Sequence, residues 1–462
     1  MSLSLSDRLR QVLSGALPAA APAERARPEE GCSDGVNHLS HFAEVLGGTV
    51  VDSAAGAVLV VDRFYAADRR HGRIAVGEIV ETLENGVGAL QVLARAWPGR
   101  EPRAYSTRLC FFDLETTGLA GGAGTQAFLV GCAVIEDGGL RVRQFLLPGF
   151  EHERALLHEI GKAMTAGDRG VIGPAEDRPA LPTLVTFNGR SFDLPLIETR
   201  YLFHRLSFPF SQLPHLDMLH PSRRLWKQRP TIAGPALDED SCKLSVLERH
   251  LGGYHRIGDV PGFEIPSRYY RFVRGGDAFA LEAVLEHNRI DLISLALVTA
   301  RALALITVGP RATTQPREAL GLGRVFEDSG AEENAEASYA HAAALSRRIG
   351  HEPEVRAEAL RRLALIRRRA GRPGDAAAAW QELVYLPGCS SVFRREAREA
   401  LAIHHEHRVR DLHRAKSLVM DVLAEGAGPR VRAAAEYRLR RLERKLSVTA
   451  EQATAALPFT HS

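Results

Sequence analysis

The stretch that decides the fold is RLCFFDLETTGL, residues 108–119. It reads as a short apolar strand that ends in two carboxylates, Asp113 and Glu115, just before a Thr-Thr-Gly turn. Side chains two apart on a strand point to the same face. Asp113 and Glu115 are therefore expected to project together from the C-terminal end of the strand, where open α/β sheets bind ligands. Two carboxylates that close repel each other, and burial without a partner would raise a pKa or cost stability. A divalent cation removes the conflict, and Mg²⁺ or Mn²⁺ prefers oxygen ligands. Taken alone, the pair is equally compatible with a solvated strand end.

Working outward, QAFLVGCAVIE (126–136) and LRVRQFLLP (140–148) read as two more strands around an Asp137-Gly138-Gly139 turn. Residues 151–166 have helical spacing, and TLVTFN (183–188) is a fourth strand. A helix is expected over Phe192–Leu206, with Ser191 able to cap it and Pro195 tolerated in its first turn. Further helices are expected at 241–252 and 277–305. Strands followed by alternating helices imply an α/β domain over residues 106–306.

Upstream, residues 1–38 are expected to be a disordered tail, because GALPAAAPAERARPEEGCSDG (15–35) has almost no bulky apolar residue. Residues 39–105 form a small strand-containing segment. Thr49–Val51 and Ala57–Phe64 flank SAAG as a hairpin, and a helix-like stretch follows at 77–97. Downstream, strand signals vanish. Three segments, 322–345, 360–384 and 401–423, line up on Ala337, Ala378 and Ala415, spaced 41 and 37 residues apart. Each reads as two short helices around a turn. Residues 317–450 are thus expected to be all-α helical-hairpin repeats, near the tetratricopeptide period but looser, with 451–462 as a tail.

Composition bounds the function. The chain has 462 residues, 45% hydrophobic and 25% charged, which fits a folded protein of several domains. Net charge is +3, too small to demonstrate a polyanion partner. There are 54 arginines against 5 lysines, so arginine content alone is weak evidence for phosphate binding. Cysteines 32, 110, 132, 242 and 389 form no CxxC pair, which excludes a cysteine zinc site and fits a reducing, cytoplasmic setting. No uninterrupted apolar run reaches about 18 residues, so no membrane partner is expected.

Two further acids join the first pair. Asp193 lies in FNGRSFDLP (187–195), at the start of the helix after the fourth strand, where an anion is favoured. Asp291 lies in LEHNRIDLISLALV (285–298), and His287, four residues earlier, shares its helical face. In order and spacing this set resembles the DEDD 3′–5′ exonucleases of the ribonuclease H-like superfamily. The DLETTGL and NGxxFD motifs resemble most the bacterial YprB-like ribonuclease H-like group, in which tetratricopeptide-like tails also occur. The resemblance covers roughly 106–305 and implies an α/β RNase H-like domain with a mixed central sheet and flanking helices. It implies that Asp113, Glu115, Asp193 and Asp291 hold two Mg²⁺ or Mn²⁺ ions, with a histidine or tyrosine as general base. The two common subclasses place His five, or Tyr four, residues before the last Asp. Here those positions hold Glu286 and His287, so His287 is the candidate base.

The same resemblance implies that Thr116, Thr117, Gly118 and Leu119, with Asn188 and Phe192, contact the terminal nucleotide of a single-stranded 3′ end. HPSRRLWKQR (220–229) sets Arg223 and Arg224 beside Trp226, which suits single-stranded nucleic acid as well as a solvated loop. Asp217 is expected to cap a helix or support the site from behind. GLAGGAGT (118–125) lacks the GK[ST] ending of a phosphate loop. The expected function is a metal-dependent 3′–5′ exonuclease on DNA or RNA. A non-catalytic nucleic-acid or protein scaffold, with the repeats as a docking region for a protein partner, is the alternative.

Overall fold

The structure is a computed structural model that describes residues 34–95, 108–118, 124–165, 181–227, 242–350, 352–426 and 428–455. The chain enters through helix α1 (Asp34–Leu46), strands β1 (Thr49–Ser53) and β2 (Gly56–Tyr65), and a small hairpin, β3 (Arg70–His71) and β4 (Ile74–Ala75). Helices α2 (Val76–Asn85) and α3 (Leu90–Arg95) follow. Helix α1 thus begins inside the stretch expected to be a tail, and Gly86 divides the single helix expected at 77–97. Residues 1–33 of that tail lie outside the described residues.

The central strands are β5 (Leu109–Thr116), β6 (Ala127–Glu136), β7 (Gly139–Leu146), β8 (Thr183–Thr186) and β9 (His215–Asp217). Seven strands form one sheet in the order β1-β2-β7-β6-β5-β8-β9. It is mixed: β5 pairs antiparallel with β6 and parallel with β8, which pairs parallel with β9. The hairpin at 49–65 is not a separate small unit. Strand β2 pairs with β7 from Leu59↔Leu146 to Tyr65↔Leu140, so the upstream segment completes the same sheet.

Helix α4 (Glu153–Thr165) joins β7 towards β8. Helix α5 (Asp193–Phe203) has Phe192 at its N-cap with no side-chain cap bond, so Ser191 does not cap it. The Ser191 N–H instead closes the preceding turn on the Asn188 carbonyl at 3.1 Å. Helices α6 (Leu219–Leu225), α7 (Leu244–Gly252), α8 (Ile265–Gly275) and α9 (Phe279–Val308) complete this region. Helix α9 is long and apolar enough to cross a membrane by length and composition, but most of its apolar window is buried within the protein. Leu292, Leu295, Leu297, Leu303 and Leu305 are each at most 1% exposed. Each such side chain contributes about 1.5–3 kcal/mol on burial. The helix is the spine of the fold rather than a span.

Strand alternation sorts two cores. Leu109 and Phe111 face the cluster built on the later turns of α9, whereas Cys110, Phe112 and Leu114 face α4 and α8. The period of two then puts Asp113 and Glu115 on the α9 side.

The described residues beyond α9 are mostly helical: α10 (Pro316–Asp328), α11 (Glu332–Ile349), α12 (Pro353–Arg369), α13 (Pro373–Val384), α14 (Ser391–His404), α15 (Leu412–Ala424) and α16 (Pro429–Ala455). Three helical hairpins are present, with a register that differs from the sequence alignment. Counted from the N-caps of the second helices, Ala331, Arg372 and Asp411, the equivalent buried residues are Ala335, Ala376 and Ala415, spaced 41 and 39 residues apart, while Ala337 and Ala378 are exposed. Two residues are about 200° around a helix, so that shift turns a packed position to solvent. Helix α16 also runs through the first part of the expected 451–462 tail, and residues 456–462 lie outside the described ones.

The hairpins share a core with the sheet region. Helix α10 lies so close to α6 that a Cβ on Gly321 would come within 2.5 Å of the Arg224 carbonyl and 2.6 Å of the Leu225 carbonyl. Glu318 of α10 accepts from Trp226 Nε1 at 3.0 Å and from Arg301 at 2.8 Å, and Arg224 pairs with Asp328 at 2.5 Å.

Candidate active site

Asp113 stands on β5 opposite Gly131 of β6, which in turn is opposite Gln144 of β7. Gly131 has no side chain for a reason: a Cβ there would lie 2.2 Å from Asn288 Oδ1. The vacated space admits Asn288 from α9. Its Nδ2 donates to Asp113 Oδ2 at 2.8 Å, and its Oδ1 accepts from Gln144 Nε2 at 2.9 Å. Gln144 and Asn288 are fully buried, so this bridge fixes the Asp113 carboxylate. Glu115 follows at a bulge between Glu115 and Thr116, which ends the regular β5–β6 ladder.

Asp193 arrives from the other side. The β5–β8 pairing extends only to Phe111↔Val185. The free edge of β5 beyond it meets the start of α5, and the Leu114 N–H bonds to Asp193. The turn before α5 is held from beneath by Asp217, which is buried. Its carboxylate accepts from the backbone N–H groups of Asn188 (2.8 Å), Arg190 (3.1 Å) and Leu219 (3.1 Å). Asp217 thus ties the first N–H of α6 to the Asn188 turn, while Met218 occupies the N-cap position of that helix without a side-chain cap bond. Asn188 itself has φ +69°, a left-handed conformation that asparagine tolerates.

The electrostatics are those of crowded acids. Asp113 and Glu115 keep some contact with solvent, yet burial pushes both carboxyl groups well above the usual range, and repulsion adds to it. Asp291 and Asp193 act on both groups. Burial pushes Asp193 up to about 7, against the pull of the Leu114 N–H and with a further push from Asp217. These mutual effects show that Asp113, Glu115, Asp193 and Asp291 share one locality.

Asp291 differs from the other three. Its Oδ1 is bonded to Arg256 Nη2, and its Oδ2 lies 3.4 Å from His287 Nε2. His287 Nδ1 is 2.6 Å from Asp259 Oδ1. Arg256 also contacts Asp259 at 3.2 Å and forms a fork to Glu248, with Nε at 2.6 Å and Nη2 at 2.8 Å. Behind the fork, Ser294 donates to Glu248, and His71 lies 2.9 Å from the Ser294 hydroxyl. Burial and the Arg256 charge bring His71 down to about 4, so it is neutral near pH 7. Removing one partner of a buried ion pair such as Glu248–Arg256 costs about 3–5 kcal/mol.

Arg256, Asp259, Glu248, His71, Gln144 and Asn288 were not legible as site residues. The available signals were faint: an Asn inside HNRID (287–291), a Gly in the middle of a strand, and a charged turn HRIGD (255–259) that reads as an ordinary loop.

The remaining positions are placed as follows. Thr116 Oγ1 donates to the Gly118 carbonyl at 2.9 Å, and Thr117 exchanges two bonds with the backbone of Gln126. These bonds hold the start of the 116–118 turn at the end of β5, and Leu119 lies outside the described residues. Phe192 is 60% exposed next to Asp193. Arg223 is exposed on α6, whereas Arg224 and Trp226 are engaged by Asp328 and Glu318 of α10.

Residues 110–303 match a family model described as the RNase_H superfamily. The matched span runs from β5 well into α9 and contains all four acids. The chain is also similar to the uncharacterised protein YprB of Bacillus subtilis (strain 168), with 33% identity over 235 residues. That alignment covers 50% of this chain and 49% of the relative, so the chain spans about half the length of the curated relative it matches.

Among the described residues, no three His, Cys, Asp or Glu side chains converge as a ready metal cage. The donor set nevertheless fits a hard cation. It consists of oxygen ligands on three adjacent segments, and their charges repel one another.

Proposed function

We propose that the chain is a metal-dependent 3′–5′ exonuclease that hydrolyses phosphodiester bonds of DNA or RNA. The observation that carries this reading is the gathering of Asp113, Glu115 and Asp193 at the ends of β5 and β8, where burial raises all three and repulsion from neighbouring acids adds to it. Protein structure rarely tolerates such crowding without a task for it. Asp113, Glu115, Asp193 and Asp291 would hold two Mg²⁺ or Mn²⁺ ions. Bound there, divalent cations neutralise the acids, make water a better nucleophile and stabilise charge on the leaving oxygen.

The chain's own residues do the rest. Asn288 and Gln144 orient Asp113. His287 presents Nε2 toward Asp291 while Asp259 holds Nδ1, an arrangement suited to taking a proton from the attacking water at Nε2. The water oxygen attacks phosphorus in line, the P–O3′ bond breaks, and the leaving 3′-oxygen gains a proton. The products are a nucleoside 5′-monophosphate and a strand one residue shorter. The exposed ring of Phe192 offers a stacking face for the terminal base.

The Arg256–Asp291 pair favours a second reading, a non-catalytic scaffold that binds nucleic acid without metal. The deciding experiment uses 5′-labelled single-stranded DNA and RNA in Mg²⁺, Mn²⁺ and EDTA. A metal-dependent ladder made by the wild type and absent with Asp113→Ala supports the exonuclease. Binding without product in every metal supports the scaffold.

A further inference from the structure

Among the described residues, Asp291 is the one acid of the four whose two oxygens both face a basic side chain, and the way Arg256 is mounted matters. A guanidinium that touched Asp291 alone would swing away when a cation arrived. Arg256 is instead fixed from behind by both oxygens of Glu248, and its side chain is 8% exposed against 1% for Glu248. Leaving would strand a sealed carboxylate whose only other hydrogen bond of this network comes from the Ser294 hydroxyl. Asp259 holds a third side of the same guanidinium and also the Nδ1 side of His287. The anchor reaches back to His71 on the β3–β4 hairpin, so the segment before β5 supports it.

Among the described residues Asp113 has no such partner: its side-chain hydrogen bond comes from a neutral amide, Asn288. Asp193 is bonded by backbone N–H groups. The two sides of the cleft therefore differ in how open they are to a cation.

We propose that Arg256 is a built-in competitor for Asp291, so that the cleft takes one divalent cation readily at Asp113, Glu115 and Asp193, and a second only against Arg256. This rests on the exonuclease reading and assigns an order of loading to the same site. It makes Arg256 a gating residue rather than a catalytic one.

The test is a Mn²⁺ titration of the full chain, followed by the electron paramagnetic resonance signal of free Mn²⁺ and by calorimetry. The wild type is expected to bind one Mn²⁺ tightly and a second about 10-fold or more weakly, the margin of one charged hydrogen bond. The double variant Glu248→Gln/Arg256→Met removes both buried charges at similar volume. Its two Mn²⁺ ions are expected to bind with affinities within about 3-fold of each other. If that variant shows no cooperative unfolding, Arg256→Lys takes its place, since an ammonium cannot fork to Glu248 and Asp291 together; its gap between sites should then narrow. Two equal wild-type sites, both weakened by Asp113→Ala, would overturn the gating role and leave the exonuclease reading standing. An unchanged gap in the variants would do the same. No Mn²⁺ bound by the wild type at millimolar concentration would overturn both.

Discussion

Glu327, Glu336 and Glu406 of the helical hairpins sit among basic side chains, whereas Asp113, Glu115 and Asp193 of the sheet region sit among other acids. Glu406, between α14 and α15, is contacted by Arg438 (3.1 Å), Arg441 (2.6 Å) and Lys445 (2.8 Å). Burial alone would raise its carboxyl group, but these bonds bring it down to about 2. Hydrogen bonds from Arg369, Tyr339 and Arg362 outweigh burial and lower Glu327, and Arg372 and Arg367 lower Glu336. The hairpin acids stabilise the packing of one helix on the next. The sheet acids oppose their own burial. One chain thus satisfies its structural carboxylates and leaves its candidate functional ones wanting a cation.

Activity offers the largest effect with which to break this contrast. Asp113→Ala is expected to reduce metal-dependent digestion to the level seen in EDTA, with circular dichroism unchanged, while Glu406→Gln should digest at the wild-type rate. Equal losses in both variants would erase the distinction. Next in size, His287→Ala should slow digestion by about 10²–10⁴-fold while Mn²⁺ binding persists. A wild-type rate would assign the proton to another group.

Stability sharpens the contrast further, with effects on the order of a few kcal/mol. An acid raised by folding holds its proton more tightly in the native state. For Asp193, between its ordinary 3.8 and about 7, the metal-free protein should lose stability as pH rises. Glu406 acts in the opposite sense: its contribution is present above its ordinary 4.5 and is lost as pH falls towards 2. Urea unfolding in EDTA from pH 4 to 8 should therefore show Asp193→Asn more stable than wild type near pH 8 and similar near pH 4. Glu406→Gln should be less stable near pH 7. The reverse order at neutral pH would overturn the assignment of roles. The smallest expected effect is that of Gly131→Ala, about 1–3 kcal/mol of destabilisation from overpacking against Asn288. Digestion should weaken with it, since the clash displaces the donor that orients Asp113. An unperturbed melting temperature would show that Asn288 moves aside at little cost.

Much of this was legible along the chain. The run RLCFFDLETT announced both the strand and the acids, because a period of two is a local property. The Asp137-Gly138 turn and the 49–65 hairpin were local in the same way. The repeat register was missed by two residues, because Ala, Arg and Glu recur so often in 317–450 that several alignments score alike, and only packing separates Ala335 from Ala337. The membership of β1 and β2 in the central sheet was invisible, since pairing β2 with β7 joins residues about 80 positions apart.

The sequence by itself determined the order of the acids, the alternation that puts Asp113 and Glu115 on one face, and the change from mixed α/β to helices after residue 317. Those follow from backbone periodicity and side-chain chemistry, which act over a few residues. Only the tertiary structure decided which acid has a cation beside it. Arg256 reaches Asp291 from 35 positions away, Asn288 reaches Asp113 from 175, and His71 meets Ser294 across 223. Charge pairing at such separations is set by how the sheet and α9 pack, and no local pattern encodes it.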